Sequence, residues 1–288
     1  MFGRFRRGEE VIGFALSGGG TRGAVQVGVI RALMEAGIRP RVVAGTSVGA
    51  VNAVWLARYP DQVDGLAAVW MALRGRDVFP GSHLRIAFNL IRHQYVHDSR
   101  AWERFLRSRV EDARFEDLSM PAAVIAVRVS DGTKVVFESG EILPALMAST
   151  AIPGVFPPYR IGEELYVDGG ILEHLPVPTL LERAVTEVFA VDCSGFALGL
   201  DFRGSLVDRC WRISATASAV QATSLYATRG RKVHLIRPDI PEFGDARQFG
   251  HTANLVEVGY EFTRRYLEQQ GMAQSPDSVD GGAPAELS

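Results

Sequence analysis

Ser47 stands between glycines in Gly45-Thr46-Ser47-Val48-Gly49, after one short apolar run and at the head of a second with helical spacing. This G-x-S-x-G order suits a strand-to-helix turn that holds a serine hydroxyl out at a sheet edge, where it can attack an ester carbonyl. A helix starting at Val48 places partial positive charge near that hydroxyl and favours its alkoxide. Earlier in the chain, Gly18-Gly19-Gly20-Thr21-Arg22-Gly23 follows another apolar run. The bare amides of Gly18, Gly19 and Gly20 can hold the oxyanion such an attack creates.

A serine nucleophile needs a base. His174, His234 and His251 all follow Ser47, as a Ser-His-Asp triad would want. His234 falls within a predicted strand, His251 at a helix start and His174 after a turn, so none has the setting of a triad histidine. A carboxylate acting directly is the remaining choice. Asp168 is the best placed, between a strand end and Gly169-Gly170, which let backbone approach closely. Arg22 can hold the glycine loop or meet a phosphate group. The same loop fits G-x-G-x-x-G, but a dinucleotide site wants an acid about 20 residues on, at the end of the next strand. That strand ends Ala44-Gly45-Thr46-Ser47, without one. No Gly-Lys-Ser/Thr follows the loop either, which removes a P-loop.

The elements that must carry these residues are legible from apolar periodicity. Val11 to Leu16 reads as a buried parallel strand, Gly23 to Ala36 as a helix, Arg41 to Ala44 as a strand and Val48 to Tyr59 as a helix ended by Pro60. Such a βαβα start builds a parallel sheet with helices on both faces. The stretch 61–110 reads as an inserted helical layer in about three pieces, broken at Gly75, Pro80 and Gly81. Within it, Leu84 to Tyr95 interleaves apolar residues with Arg85, Arg92 and His93, making it the candidate interfacial lid or apolar channel. Ala122 to Val129 and Lys134 to Glu138 form a hairpin through Asp131-Gly132, and the sheet becomes mixed. Glu141 to Ser149 suits a helix. A second hairpin, Tyr159 to Val167, delivers Asp168, and Val188 to Val191 and Val233 to Ile236 are further strands. Asp208 to Arg229 and Leu255 to Gln269 read as helices.

With 288 residues and 47% hydrophobic composition the chain can bury a full core as one α/β domain. The expected organisation is a basic N-terminal extension over 1–10, one catalytic domain over 11–270 and a disordered tail over 271–288. A net charge of -2 and the lack of any nucleic-acid signature argue against nucleic acid as partner. Two cysteines, Cys193 and Cys210, make no disulfide framework and fit a reducing compartment. No segment approaches the roughly 18 apolar residues needed to span a bilayer. A cytoplasmic protein, peripheral where it meets membranes, is expected.

Taken together the motifs resemble the patatin-like phospholipase family. The matching pieces are the glycine loop Gly18 to Gly23, the elbow around Ser47, the stretch Ala148-Ser149-Thr150-Ala151-Ile152-Pro153-Gly154-Val155-Phe156-Pro157-Pro158, and Asp168-Gly169-Gly170 followed by Pro176. Two positions depart from the family pattern: His174 stands where asparagine is common, and Ser17 where many relatives have aspartate. The resemblance implies a three-layer α/β/α sandwich around a mostly parallel sheet and a serine–aspartate dyad. Ser47 would be nucleophile, Asp168 base, and the Gly18, Gly19 and Gly20 amides the oxyanion hole. It further implies a lipid or phospholipid acyl ester as substrate, with no metal or organic cofactor. The same acyl-enzyme could pass its acyl group to another alcohol.

Overall fold

The computed structural model describes residues 10–80, 95–183, 185–194, 232–240 and 249–272, with single positions between 209 and 221. The expected N-terminal extension up to residue 9, nearly all of the Leu84 to Tyr95 stretch, most of the Asp208 to Arg229 helix, Cys210 and the tail from 273 lie outside the described residues. The opening unit is β1 (Ile12–Leu16), α1 (Ala24–Glu35), β2 (Val42–Thr46) and α2 (Val48–Arg58). The inserted layer supplies α3 (Val63–Ala72), α4 (Gly75–Val78) and α5 (Arg100–Val110). Then come β3 (Ala122–Arg128), β4 (Lys134–Phe137), α6 (Ile142–Ser149), β5 (Tyr159–Ile161) and β6 (Glu164–Asp168). A short α7 (Val177–Leu181), β7 (Glu187–Val191), β8 (Lys232–Ile236) and α8 (Thr252–Gln269) complete the described chain.

Five strands, in the order β3-β2-β1-β7-β8, are parallel, and β4, β6 and β5 join antiparallel. This is the α/β class expected: a mixed, mostly parallel sheet with helices on both sides. Side chains alternate between faces, as a pleated strand requires. Phe14, Leu16, Val43, Val124, Phe189 and Val191 pack into one large cluster with residues of α1, α2, α3, α5, α6 and α8. Their neighbours Ala15, Val42, Ala44, Ile125, Val188 and Ala190 pack on the opposite face with Val177, Leu180 and Leu181 of α7. Each such buried Val, Leu or Phe side chain contributes about 1.5–3 kcal/mol, and both strand faces are apolar because both are covered. Parallel strands all point their carboxyl ends the same way, so β1, β2 and β7 end together at Leu16, Thr46 and Val191. The glycine loop after Leu16 and the turn at Ser47 start there.

Strand β3 decides what meets what. Its residues Val124 and Ile125 pair with both β2 and β4, and Ala126 and Val127 pair with both β4 and β6. A strand has two edges, so β2 and β6 share one edge of β3 and run toward each other along it. Thr46 pairs with Ile125 and Asp168 with Ala126, which are consecutive residues. The last residue of β6 is therefore brought against the turn that leaves β2.

Candidate active site

Ser47 occupies that turn, with φ 56 and ψ -127, a left-handed backbone that costs a residue bearing Cβ of order 1–3 kcal/mol. The elbow holds it there by close packing. A Cβ on Gly45 would lie 2.2 Å from the Gly49 carbonyl oxygen, and one on Gly49 would lie 2.2 Å from the Leu16 carbonyl oxygen. Both flanking positions need glycine so that strand, turn and helix can touch. The Ser47 N–H donates to Ser149 Oγ at 2.9 Å, fixing the turn to the end of α6. Ser149 is fully buried, and its role lay unread inside the Ala148 to Pro158 motif.

Asp168 is fully buried at the end of β6. Its Oδ1 accepts the Gly170 N–H at 2.8 Å, while Oδ2 has no full hydrogen bond among the described residues. Burial pushes the carboxyl pKa up to about 7, and the nearby Ser47 hydroxyl and the Gly170 amide pull it part of the way back. The Ser47 hydroxyl thus lies within the influence of the carboxylate, without the alignment of a full hydrogen bond. Catalytic contacts commonly tighten only when substrate binds.

The glycine loop sits beside them. Gly19 and Gly20 are partly open to solvent, and among the described residues neither N–H has a hydrogen-bond acceptor. Gly18 differs from the expectation: its N–H donates to the His174 carbonyl at 3.2 Å. Its amide is spent on holding the loop, which narrows the three-donor expectation to two. A Cβ on Gly19 would come within 2.7 Å of Cys193 Sγ, so the loop lies flat on the end of β7. Behind it runs a buried polar chain. Gln26 Nε2 donates to the Ser17 carbonyl at 2.8 Å, Asn52 Nδ2 to Gln26 Oε1 at 2.8 Å, and Trp70 Nε1 to Asn52 Oδ1 at 2.9 Å. Arg22 Nη1 donates to the Ser194 carbonyl at 2.7 Å, tying the loop to the segment after β7.

The histidines are placed differently. His234 is on β8, 2.6 Å from Glu187 and stacked on Phe189, at the other edge of the sheet from Asp168. His251 caps α8. His174 is buried, with its Cε1 2.9 Å from where a Cβ on Gly18 would stand and Ser47 Cβ 3.2 Å from the same point. Burial lowers its pKa to about 4, against the opposing pull of the Asp192 charge and Gly18. Among the described residues no histidine hydrogen-bonds Ser47.

An apolar cavity opens at Ser47 and follows one face of α2 through Val48, Val51, Val54, Trp55 and Arg58. Their spacing of three or four residues keeps them in one row. Trp70 and Leu73 of the inserted layer, Trp102 and Leu106 of α5, and Phe156 close the other walls. The empty space, counted out to solvent at its mouth, is about 960 Å³. Among the described residues no helix is long and apolar enough to cross a membrane.

Known proteins resemble this chain in sequence or in fold. Lysophospholipase nte1 of Aspergillus terreus is 28% identical over 284 residues, covering 90% of this chain and 18% of that protein. An uncharacterised NTE family protein of Mycobacterium tuberculosis is 30% identical over 181 residues, covering 63% of this chain and 30% of that one. The chain therefore spans less than a third of the length of either relative. Human GIVD cytosolic phospholipase A2 superposes with a TM-score of 0.50 at 14% identity, over 90% of this chain and 59% of that one, a likeness of fold. A family model described as patatin-like phospholipase matches residues 14–181. With more than half of its length matched in this way, the chain belongs to the patatin-like phospholipase family.

Proposed function

We propose that the protein is a lipid acyl hydrolase working through a Ser47–Asp168 dyad. One observation carries this reading: a strained serine turn meets a buried, under-solvated carboxylate beside an apolar cavity that Ser47 helps to line. Asp168 takes the Ser47 proton as Oγ attacks the ester carbonyl carbon. The carbonyl π electrons move onto oxygen, and the Gly19 and Gly20 amides receive that oxyanion. Collapse of the tetrahedral intermediate expels the alcohol, which takes its proton from Asp168 and leaves the acyl group on Ser47. A water, deprotonated by Asp168, then releases the fatty acid and restores the serine.

An unperturbed aspartate, with pKa about 3.9, is a weak base for this task. Burial corrects it by raising the carboxyl toward neutrality, where proton affinity and ionised fraction are both useful at working pH. The cavity suits a long acyl chain: its α2 wall is 11 residues long, which spans about 16 Å. We assign Arg22 to holding the oxyanion loop, since its guanidinium is turned to the Ser194 carbonyl. Beside the cavity, α5 carries Phe105 and Arg109 on the cavity wall and exposed Arg104 and Arg107. This basic face suits a peripheral approach to anionic lipid.

Fluorophosphonate labelling and short-chain ester turnover test the dyad, with wild type beside Ser47→Ala and Asp168→Asn. Wild type should label and turn over, and Ser47→Ala should do neither. Labelling that persists in Ser47→Ala removes it as nucleophile. Activity that survives in Asp168→Asn and vanishes in His174→Ala replaces the dyad with a triad.

A further inference from the structure

The segment that leaves Asp168 is tied to every part of the site within two residues. Glu173 N–H donates to the Gly169 carbonyl at 2.9 Å, next to the proposed base. The Glu173 carbonyl accepts the Thr46 hydroxyl at 2.8 Å, one residue before the proposed nucleophile. The His174 carbonyl accepts the Gly18 N–H at 3.2 Å, at the start of the oxyanion loop. Acid turn, elbow and glycine loop therefore share one dipeptide as their common support.

The His174 N–H donates to Ser218 Oγ at 3.0 Å, and the Glu173 side chain, which is nearly buried, ties the dipeptide to two further elements. Oε1 accepts the Thr179 N–H at 2.8 Å, and Oε2 accepts the Thr179 hydroxyl at 2.9 Å and the Lys134 ammonium at 2.7 Å. Lys134 comes from β4 and Thr179 from α7, whose apolar residues pack on the sheet face opposite the cavity. A buried carboxylate with three donors from two other elements is held in one geometry, and charge-assisted hydrogen bonds are about twice as strong as neutral ones. Such a group stays put only while its partners are present.

We propose that Glu173 is a positioning residue for the reaction: with Lys134 and Thr179 it sets the distances among Ser47, Asp168 and the oxyanion amides without touching substrate. The inference rests on the hydrolase reading above. Its physical basis is the steepness of catalysis with geometry, since a displacement of about 1 Å can cost roughly 100-fold in rate. Loosening the 173–174 support would move all three groups at once.

The test compares Glu173→Gln, Lys134→Met and Lys134→Arg with wild type and Ser47→Ala. For each, active sites are titrated to completion with a fluorophosphonate, and kcat and KM for a short-chain ester are measured beside Tm. Lys134 is partly exposed, so its variants keep the test available where Glu173→Gln folds poorly. The expected result is that Glu173→Gln and Lys134→Met titrate fully yet lose about 10- to 100-fold in kcat per titrated site, with little change in KM. Lys134→Arg should recover most of that loss, because its charge still reaches Glu173. A lowered Tm with kcat per titrated site unchanged overturns the proposal and leaves the cluster as scaffold. Full labelling of Ser47→Ala overturns the hydrolase reading instead, and the inference with it.

Discussion

Among the described residues two aspartates lie buried at strand ends, each beside a serine, and their environments drive them in opposite directions. Asp192, after β7, accepts the Ser194 N–H at 2.9 Å, the Ser194 hydroxyl at 2.5 Å and Arg237 Nε at 2.8 Å. Burial alone would raise its pKa, but the Ser194 hydrogen bonds and the charges of His174 and Arg237 together hold it below the ordinary carboxylate range. Asp168 has one amide and a loosely aligned hydroxyl, and burial lifts it to about 7. The satisfied carboxylate is a strut. The under-satisfied one has the proton affinity a base needs, and divergent environments of this kind are how acid and base roles are assigned.

This contrast can be broken most sharply by mutation. Asp168→Asn should lower kcat/KM by about 10²- to 10⁴-fold, the range that a positioned general base contributes. Asp192→Asn should change kcat/KM by less than about tenfold, and equal losses in both variants would erase the distinction. Next in size is the glycine loop. Gly19→Ala forces its methyl against Cys193 and should cost about 10²- to 10³-fold in kcat, the range for one lost oxyanion donor. An unchanged kcat would release the Gly19 amide from its role.

The pH profile follows from the same carboxyl. With Asp168 required as carboxylate, kcat/KM in wild type should fall about tenfold per unit below pH 7. A limb near pH 4 would mean that the site is wetter than its burial indicates. Stability gives the most diagnostic effect. Between the ordinary 3.8 and about 7 the folded state keeps a proton on Asp168 that the unfolded chain has released. Stability from this group is therefore lost as pH rises through that window, by about 4 kcal/mol at most. Asp168→Asn should raise Tm above pH 7, with the gain vanishing near pH 4. Asp192 has the opposite sign: its contribution is present above its unfolded pKa and is lost as pH falls. Asp192→Asn should lose about 1–3 kcal/mol at neutral pH, measured by denaturant titration.

Much of the fold was legible from periodicity, because covered strands are short apolar runs and covered helices repeat every three or four residues. Ile12–Leu16, Ala24–Glu35, Val48–Arg58 and Lys134–Phe137 lie within a residue or two of their expected bounds. The short α7 was not foreseen, since Val177–Leu181 follows a proline and is too brief to show a period. The engagement of the Gly18 amide was equally invisible, because its acceptor is a carbonyl far along the chain at His174. Glu173 carried no signal either: a lone glutamate looks like surface until Lys134 and Thr179 arrive beside it.

By itself, then, the chain's order of residues determined which local turns are possible. Glycines at 45 and 49 permit the serine elbow, and glycines at 18 to 20 permit a loop of bare amides, since those demands are met within a few residues. The placing of Ser47 against Asp168 was decided elsewhere. Strands β2 and β6 run head to head along one edge of β3, and no local propensity encodes that meeting. The same packing decided which of two similar aspartates is dry and which is satisfied, because desolvation depends on everything folded around a group and not on its neighbours in sequence.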